Sequence, residues 1–148
     1  NSTHSVYAFG RWDNLYDYPK PKSLITWVKN NWSMGDLKHE HARQTEVAFF
    51  YAMANHFFPK DRPTDVVEWA RTQNANHPTE KPVKLYKWLL KNYANEGDKI
   101  LDTHLGSGSI AVACDVMNFD LVGCEIDKQY YEKASNRLEN ERSQIKIF

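Results

Sequence analysis

The chain has 148 residues, of which 41% are hydrophobic and 14% aromatic, so it is long and apolar enough for one compact domain with its own core. Its formal net charge is zero, which excludes a polycationic chain, although residues 1–91 are mildly basic, with 13 Lys and Arg against 9 Asp and Glu. Two cysteines give no basis for a disulfide framework, and no apolar run is long enough to cross a membrane, so we expect a cytoplasmic protein.

The first half of the sequence holds short apolar runs between polar segments, a pattern typical of strands and loops. Strands are predicted at residues 5–9, 24–28, 46–52 and 66–69. Loops are predicted at residues 13–21 and 30–43, and residues 55–76 are predicted to be loop-rich because they lack periodicity.

The second half shows helical periodicity interrupted by two apolar strands. Helices are predicted at residues 83–94 and 109–117, and from a cap at Asp127 to about residue 142, with strands at 99–102 and 121–126. Cys114 then lies on a helix and Cys124 on a buried strand, where free cysteines commonly pack. This order contains one β-α-β unit, so the sequence predicts an α/β fold with a parallel sheet.

The strongest local signal is the loop from Asp102 to Ser109, which follows a strand and opens a helix. Gly106 and Gly108 allow a ligand to approach the backbone, and the helix N-terminus offers N–H groups. Glu125 is predicted to end the next strand, where a carboxylate can accept hydrogen bonds from both hydroxyls of a ribose. The combination predicts a nucleoside-binding site.

The nucleoside is better matched by S-adenosylmethionine (AdoMet) than by a dinucleotide. A dinucleotide loop has its first glycine directly after the strand, whereas residues 102–105 lengthen this turn. Asp102 also places a carboxylate beside the ligand, where it would repel a pyrophosphate and attract an ammonium group. AdoMet carries an ammonium and a sulfonium group and has no phosphate.

Three segments resemble motifs of AdoMet-dependent amino-methyltransferases that act on DNA (the N6-adenine/N4-cytosine type). Residues 102–109, Asp-Thr-His-Leu-Gly-Ser-Gly-Ser, resemble that family's Asp-Pro-Phe-x-Gly-Ser-Gly-Thr, in a variant similar to phage or prophage members. Residues 77–82, His-Pro-Thr-Glu-Lys-Pro, resemble its His-Pro-Thr-Gln-Lys-Pro. Residues 123–127 and Tyr130 resemble its Gly-x-Glu-x-Asp-x-x-Tyr.

The resemblance implies a Rossmann-like methyltransferase fold, with a mostly parallel sheet and flanking helices, incomplete at the N-terminus. It also implies the permuted (beta) order, in which the catalytic half precedes the AdoMet half. The chain would then be one methyltransferase domain. Residues 1–54 would hold the later strands of the catalytic half, residues 55–76 a short target-recognition segment, and residues 77–148 the AdoMet half.

The resemblance also implies roles for individual residues. Asp102 would face the methionine end of AdoMet and Glu125 would hold the ribose, with Gly106 and Gly108 allowing close approach. The usual Pro-Phe is replaced by Thr103 and His104, and the His104 ring can stack on the cofactor. The methionine side and the remainder of the predicted cofactor site comprise His77, Thr79, Lys81, Pro82, Ser109 and Ile126.

The catalytic motif of that family, an Asp/Asn/Ser-Pro-Pro-Tyr/Trp loop, has no counterpart because the chain contains no Pro-Pro dipeptide. The loop is expected upstream of Asn1, so we expect this chain alone to transfer no methyl group. The implied function is methylation of the exocyclic amine of adenine, or less favourably of cytosine, in DNA, with DNA as partner and a homodimer as a possibility.

Three alternatives stay open. One is an AdoMet- or DNA-binding remnant without catalysis, another is a nicotinamide-dependent oxidoreductase, and the last is a methyltransferase acting on RNA or protein. No metal is expected, since the only suggestive pattern, His39 and His41 two residues apart, has no evident third ligand.

Overall fold

The computed structural model describes residues 5–32, 36–53, 62–72 and 79–145, and divides into two compact units, Asn1–Arg71 and Thr72–Phe148. The first unit contains strands β1 (Ser5–Gly10), β2 (Ser23–Val28), β3 (Thr45–Ala52) and β4 (Val66–Glu68), with a 3-10 helix at Trp12–Tyr16. The second contains α1 (Val83–Tyr93), β5 (Lys99–Asp102), α2 (Ser109–Met117), β6 (Asp120–Gly123) and α3 (Lys128–Ile145).

The first unit is built on a four-stranded sheet in the order β1-β3-β2-β4. Strand β3 is antiparallel to both of its neighbours, and β4 runs parallel to β2. The α/β fold class predicted from the sequence is confirmed, but this sheet departs from the mostly parallel arrangement that was expected. Local sequence patterns predict that β3 is a strand, but they do not predict that it runs antiparallel to β1 and β2.

The core of the first unit follows from the alternation of side chains along β2. Ile25 and Trp27 point to one face and are buried, whereas β3, which lies between two strands, buries four consecutive residues from Val47 to Phe50. The indole N–H of Trp27 donates to the carbonyl of Trp69 at 2.8 Å, so the polar edge of this buried ring is satisfied.

The second unit contains the predicted β-α-β arrangement, since β5 and β6 pair in parallel on either side of α2 in the chain. Its core centres on Leu90, Ile110, Ala113 and Cys114, against which one face of the strand pair packs. None of the described helices is both long enough and apolar enough to cross a membrane.

Element boundaries in the second unit agree closely with the sequence predictions, with one correction. Strand β6 ends at Gly123 and does not continue to Ile126, so Glu125 lies in the loop after the strand. The placement of Cys124 on a buried strand was wrong, because the strand ends one residue earlier and Cys124 is exposed in the loop that follows. A further difference lies in the first unit, where the 3-10 helix occupies part of a predicted loop.

The two free cysteines are expected to react at very different rates. Burial, with a smaller contribution from the charge of Asp102, raises the pKa of the Cys114 thiol from 9.0 to about 12. Only the thiolate form of a cysteine reacts, and at pH 8 a pKa of about 12 leaves roughly one in ten thousand Cys114 side chains in that form. Cys114 is also buried, whereas Cys124 is exposed to the reagent. Ellman's reagent should therefore titrate one thiol rapidly in the native chain and the second only in denaturant. Rapid reaction of two thiols in the native chain would contradict this assignment.

Candidate functional site

The candidate site lies where β5 and β6 end side by side, and backbone hydrogen bonds hold its two loops together. The N–H of Cys124 donates to the carbonyl of Asp102 at 2.8 Å, and the N–H of Leu105 donates to the carbonyl of Cys124 at 2.8 Å. Because parallel strands present their carboxyl ends at the same edge of a sheet, the loops carrying Asp102 and Glu125 are neighbours.

The side chain of Glu125 also joins the two loops by hydrogen bonds. One carboxylate oxygen, Oε2, accepts from the N–H of Gly106 at 2.7 Å, and the other, Oε1, accepts from the N–H of Asp127 at 3.0 Å. These N–H groups, Asp127 first and Gly106 second, hold the pKa of Glu125 below its ordinary value, so the carboxylate stays charged at neutral pH. Each oxygen keeps further lone pairs for a ligand hydroxyl.

Asp102 provides a second carboxylate at the end of β5. Its Oδ1 accepts from the N–H of His104 at 2.9 Å, which fixes the turn after the strand. The hydroxyl of Thr103 lies 2.8 Å from Nδ1 of His104, so a hydrogen bond joins the two residues that stand where the resembled motif has Pro-Phe. Asp102 is half-buried, whereas Thr103 and His104 are exposed and open to a ligand.

The glycine loop owes its shape to two residues with positive φ. Gly106 has φ 54° and Gly108 has φ 73°, a left-handed conformation that side chains disfavour. Gly108 is also needed for packing, since a Cβ there would lie 2.8 Å from the Cβ of Ala134 on α3. The glycine at position 108 therefore serves the contact between the loop and α3 in addition to any approach of a ligand.

Arg137 on α3 binds the glycine loop through its guanidinium group. The sequence predictions did not include this residue. Its Nη1 lies 3.1 Å from the carbonyl of Ser107, 3.0 Å from the hydroxyl of Ser109 and 3.2 Å from Oε1 of Glu80. A signal for it was present: position 137 lies on the same helical face as Ala134 and Leu138, where an arginine requires buried partners.

The segment before α1 carries the other predicted site residues. Thr79 is exposed, Lys81 is half-buried, and Pro82 is buried and precedes the first turn of α1. His77 lies outside the described residues. Ile126 is fully exposed, so the structure does not bring it against the glycine loop.

The charges at this edge of the strand pair favour a cationic ligand. Two carboxylates, Asp102 and Glu125, stand on neighbouring loops, so a pyrophosphate placed here would be repelled, whereas an ammonium or sulfonium group would be attracted. Elsewhere, His39 pairs with Asp36 at 3.0 Å. Among the described residues, no group of three or more His, Cys, Asp or Glu side chains is placed to hold a metal ion.

Comparisons with known proteins point to one family of DNA methyltransferases. A family model described as DNA methylase, of the N6/N4 type, matches residues 12–136. The chain is 37% identical over 84 residues to the type II methyltransferase M.HpaI of Haemophilus parainfluenzae, covering 53% of this chain and 27% of that protein. It is 32% identical over 93 residues to the putative methylase YubD of Escherichia coli K12, covering 63% of this chain and 41% of that protein.

A solved structure of an M1.HpyAVI–SAM complex is similar in fold. It superposes with a TM-score of 0.77 at 23% identity, covering 93% of this chain and 76% of that chain. The agreement supports the Rossmann-like methyltransferase fold predicted from the sequence. The chain spans less than half the length of the two curated relatives above.

Proposed function

Because the chain belongs to the DNA methylase family of the N6/N4 type, we propose that it binds AdoMet and serves the methylation of an exocyclic base amine in DNA. Adenine is the proposed target base, with cytosine as the alternative. The observation that carries the proposal is the Glu125 carboxylate, which lies 2.7 Å from the N–H of Gly106 on a glycine loop that joins a strand to a helix.

The proposed placement of AdoMet follows from the charged groups around that loop. Glu125 accepts hydrogen bonds from the ribose hydroxyls through the lone pairs that its two backbone partners leave free. Asp102, at the end of β5, faces the ammonium group of the methionine portion. Gly106 and Gly108 keep the loop free of side chains where the nucleoside passes.

The remaining predicted residues complete the proposed site. Thr79, Lys81 and Pro82 line the methionine side together with His77, and the Thr79 hydroxyl and the Lys81 ammonium group suit a carboxylate. The His104 ring, oriented by Thr103, stacks on the cofactor. The buried Ser109 begins α2 beneath the loop, and Ile126 offers an exposed apolar side chain for the adenine ring.

The proposed chemistry is divided between this chain and a catalytic loop. AdoMet supplies an electrophilic methyl group when it is bound, and the residues above bind and orient it. The family's Pro-Pro loop, which accepts hydrogen bonds from the target amine and stacks on the flipped base, has no counterpart in this sequence. We therefore propose that methyl transfer requires a segment that carries such a loop, and that this chain alone binds AdoMet without reaction.

The test is to incubate the chain with AdoMet bearing a deuterated methyl group and mixed-sequence duplex DNA, alone and with a polypeptide that carries an Asp-Pro-Pro-Tyr loop. Mass analysis of the digested nucleosides should show no methylated base with the chain alone and N6-methyladenine in the mixture. Methylation by the chain alone would refute the need for a separate loop. N4-methylcytosine would refute adenine as the target.

A further inference from the structure

The interaction that ties α3 to the glycine loop involves an almost fully buried ion pair. The side chain of Glu80 is 1% exposed and that of Arg137 is 16% exposed, and Arg137 Nη1 lies 3.2 Å from Glu80 Oε1. The same nitrogen contacts the carbonyl of Ser107 and the hydroxyl of Ser109. One guanidinium nitrogen is therefore surrounded by three oxygen acceptors from two separate chain segments.

These two segments are the ones that the proposed function places around AdoMet. Glu80 lies between Thr79 and Lys81 in the segment that precedes α1, and Ser107 lies between the two glycines of the loop. Because the planar guanidinium presents its donors in a fixed geometry, it sets the spacing of the groups that it binds. A change at Arg137 would leave Glu80 as a buried carboxylate without this partner, which is costly.

We propose that Arg137 and Glu80 are positioning residues for the cofactor: their ion pair sets the separation between residues 79–82 and the glycine loop. This inference rests on the proposed AdoMet site. Arg137 binds the loop through a backbone carbonyl and a buried hydroxyl, so its action is transmitted by the loop and not by contact with the ligand. The family motif has glutamine where this chain has Glu80, so in this chain a charge strengthens the interaction.

A matched control lies further along the same helix. Arg142 Nε donates to Asp115 Oδ1 at 2.8 Å, which also joins α3 to α2, but this pair is more exposed and does not contact the loop. Arg142→Met therefore removes an ion pair between α3 and α2 without removing any contact to the glycine loop. If Arg137 only anchors α3, the two substitutions should affect AdoMet binding alike.

The experiment compares Arg137→Met, Glu80→Gln and Arg142→Met by AdoMet titration calorimetry and by amide hydrogen exchange of the ligand-free chain. We expect Arg137→Met to weaken AdoMet binding about tenfold or more, as for loss of charge-assisted hydrogen bonds, and to speed exchange at residues 106–109. Glu80→Gln, which keeps an acceptor, should change the affinity by about threefold or less. Arg142→Met should change neither quantity. Should Arg137→Met fail to fold, Arg137→Lys should show a smaller effect in the same direction, because an ammonium group cannot reproduce the planar geometry.

The outcomes are distinguishable. Unchanged affinity and unchanged exchange at residues 106–109 in the Arg137 variants would overturn the positioning role. Equal loss of affinity in Arg137→Met and Arg142→Met would also overturn it and leave a general anchoring of α3. If the unsubstituted chain fails to bind AdoMet, the proposed function fails. The exchange measurement then decides by itself whether Arg137 holds the loop.

Discussion

Replacing Glu125 with alanine is expected to weaken AdoMet binding by roughly 30- to 150-fold, which corresponds to about 2 to 3 kcal/mol. Each hydrogen bond from a ribose hydroxyl to a charged carboxylate contributes about 1.5 to 3 kcal/mol to the binding free energy in a site without water. Because Glu125 is half-exposed, solvent screening lowers the total for the two bonds. The lost support of Gly106, whose N–H donates to Glu125 at 2.7 Å, acts in the same direction. Titration calorimetry on the purified chain measures this change directly.

Two further variants separate the causes of that loss. Glu125→Gln keeps a carbonyl oxygen for Gly106 and removes the charge, so its affinity should lie between those of the original chain and the alanine variant. Glu132→Ala removes an exposed carboxylate from the first turns of α3, where it lies 3.8 Å from Lys128, and should bind AdoMet normally. Equal affinity in the Glu125→Ala chain and the original would contradict the ribose contact.

Replacing Gly108 with alanine is expected to lower the free energy of unfolding by about 2 to 5 kcal/mol. A left-handed backbone costs a residue with a Cβ about 1 to 2 kcal/mol, and overpacking a filled contact costs about 1 to 3 kcal/mol more. Overpacking applies because the added Cβ would lie 2.8 Å from the Cβ and 3.2 Å from the Cα of Ala134. Urea denaturation of the variant and the original chain gives the difference.

Gly97 supplies the control for the backbone contribution. It has φ 83°, comparable with the 73° of Gly108, but a Cβ built there meets nothing within 4 Å. Gly97→Ala should therefore cost only the backbone portion, about 1 to 2 kcal/mol. Adding Ala134→Gly to the Gly108→Ala chain should recover part of the lost stability by removing the closest contact. Equal losses at positions 97 and 108 would show that packing on α3 is not what requires glycine.

Much of the second unit could be predicted from sequence because its signals are local. Helix α2 was predicted at the observed residues, and the Asp127 cap of α3 is present, with its carboxylate accepting from the N–H groups of Gln129 and Tyr130. Such boundaries depend on periodicity and capping residues within a few positions of one another. The glycine loop was recognisable for the same reason, and Glu125 by its place after the next strand, 19 residues further along the chain.

The features that the sequence did not reveal depend on contacts between distant residues. Arg137 bonds to Ser107, which is 30 residues away, and a helical pattern gives the face of a residue but not its partner. The end of β6 was placed too late because the apolar run continues past Gly123, while the chain turns there so that Glu125 reaches Gly106. In the first unit, the place of β3 between β1 and β2 is likewise a property of the whole chain.

The central claim is that AdoMet lies on the glycine loop between Asp102 and Glu125. It is tested most directly by recording amide chemical shifts of the isotope-labelled chain during titration with AdoMet and, separately, with NAD. We predict saturable shifts at Gly106, Ser107, Gly108 and Asp127 with AdoMet, and none with NAD. Shifts absent from these four amides at saturating AdoMet, or equally large with NAD, would contradict the assignment of this loop as an AdoMet site.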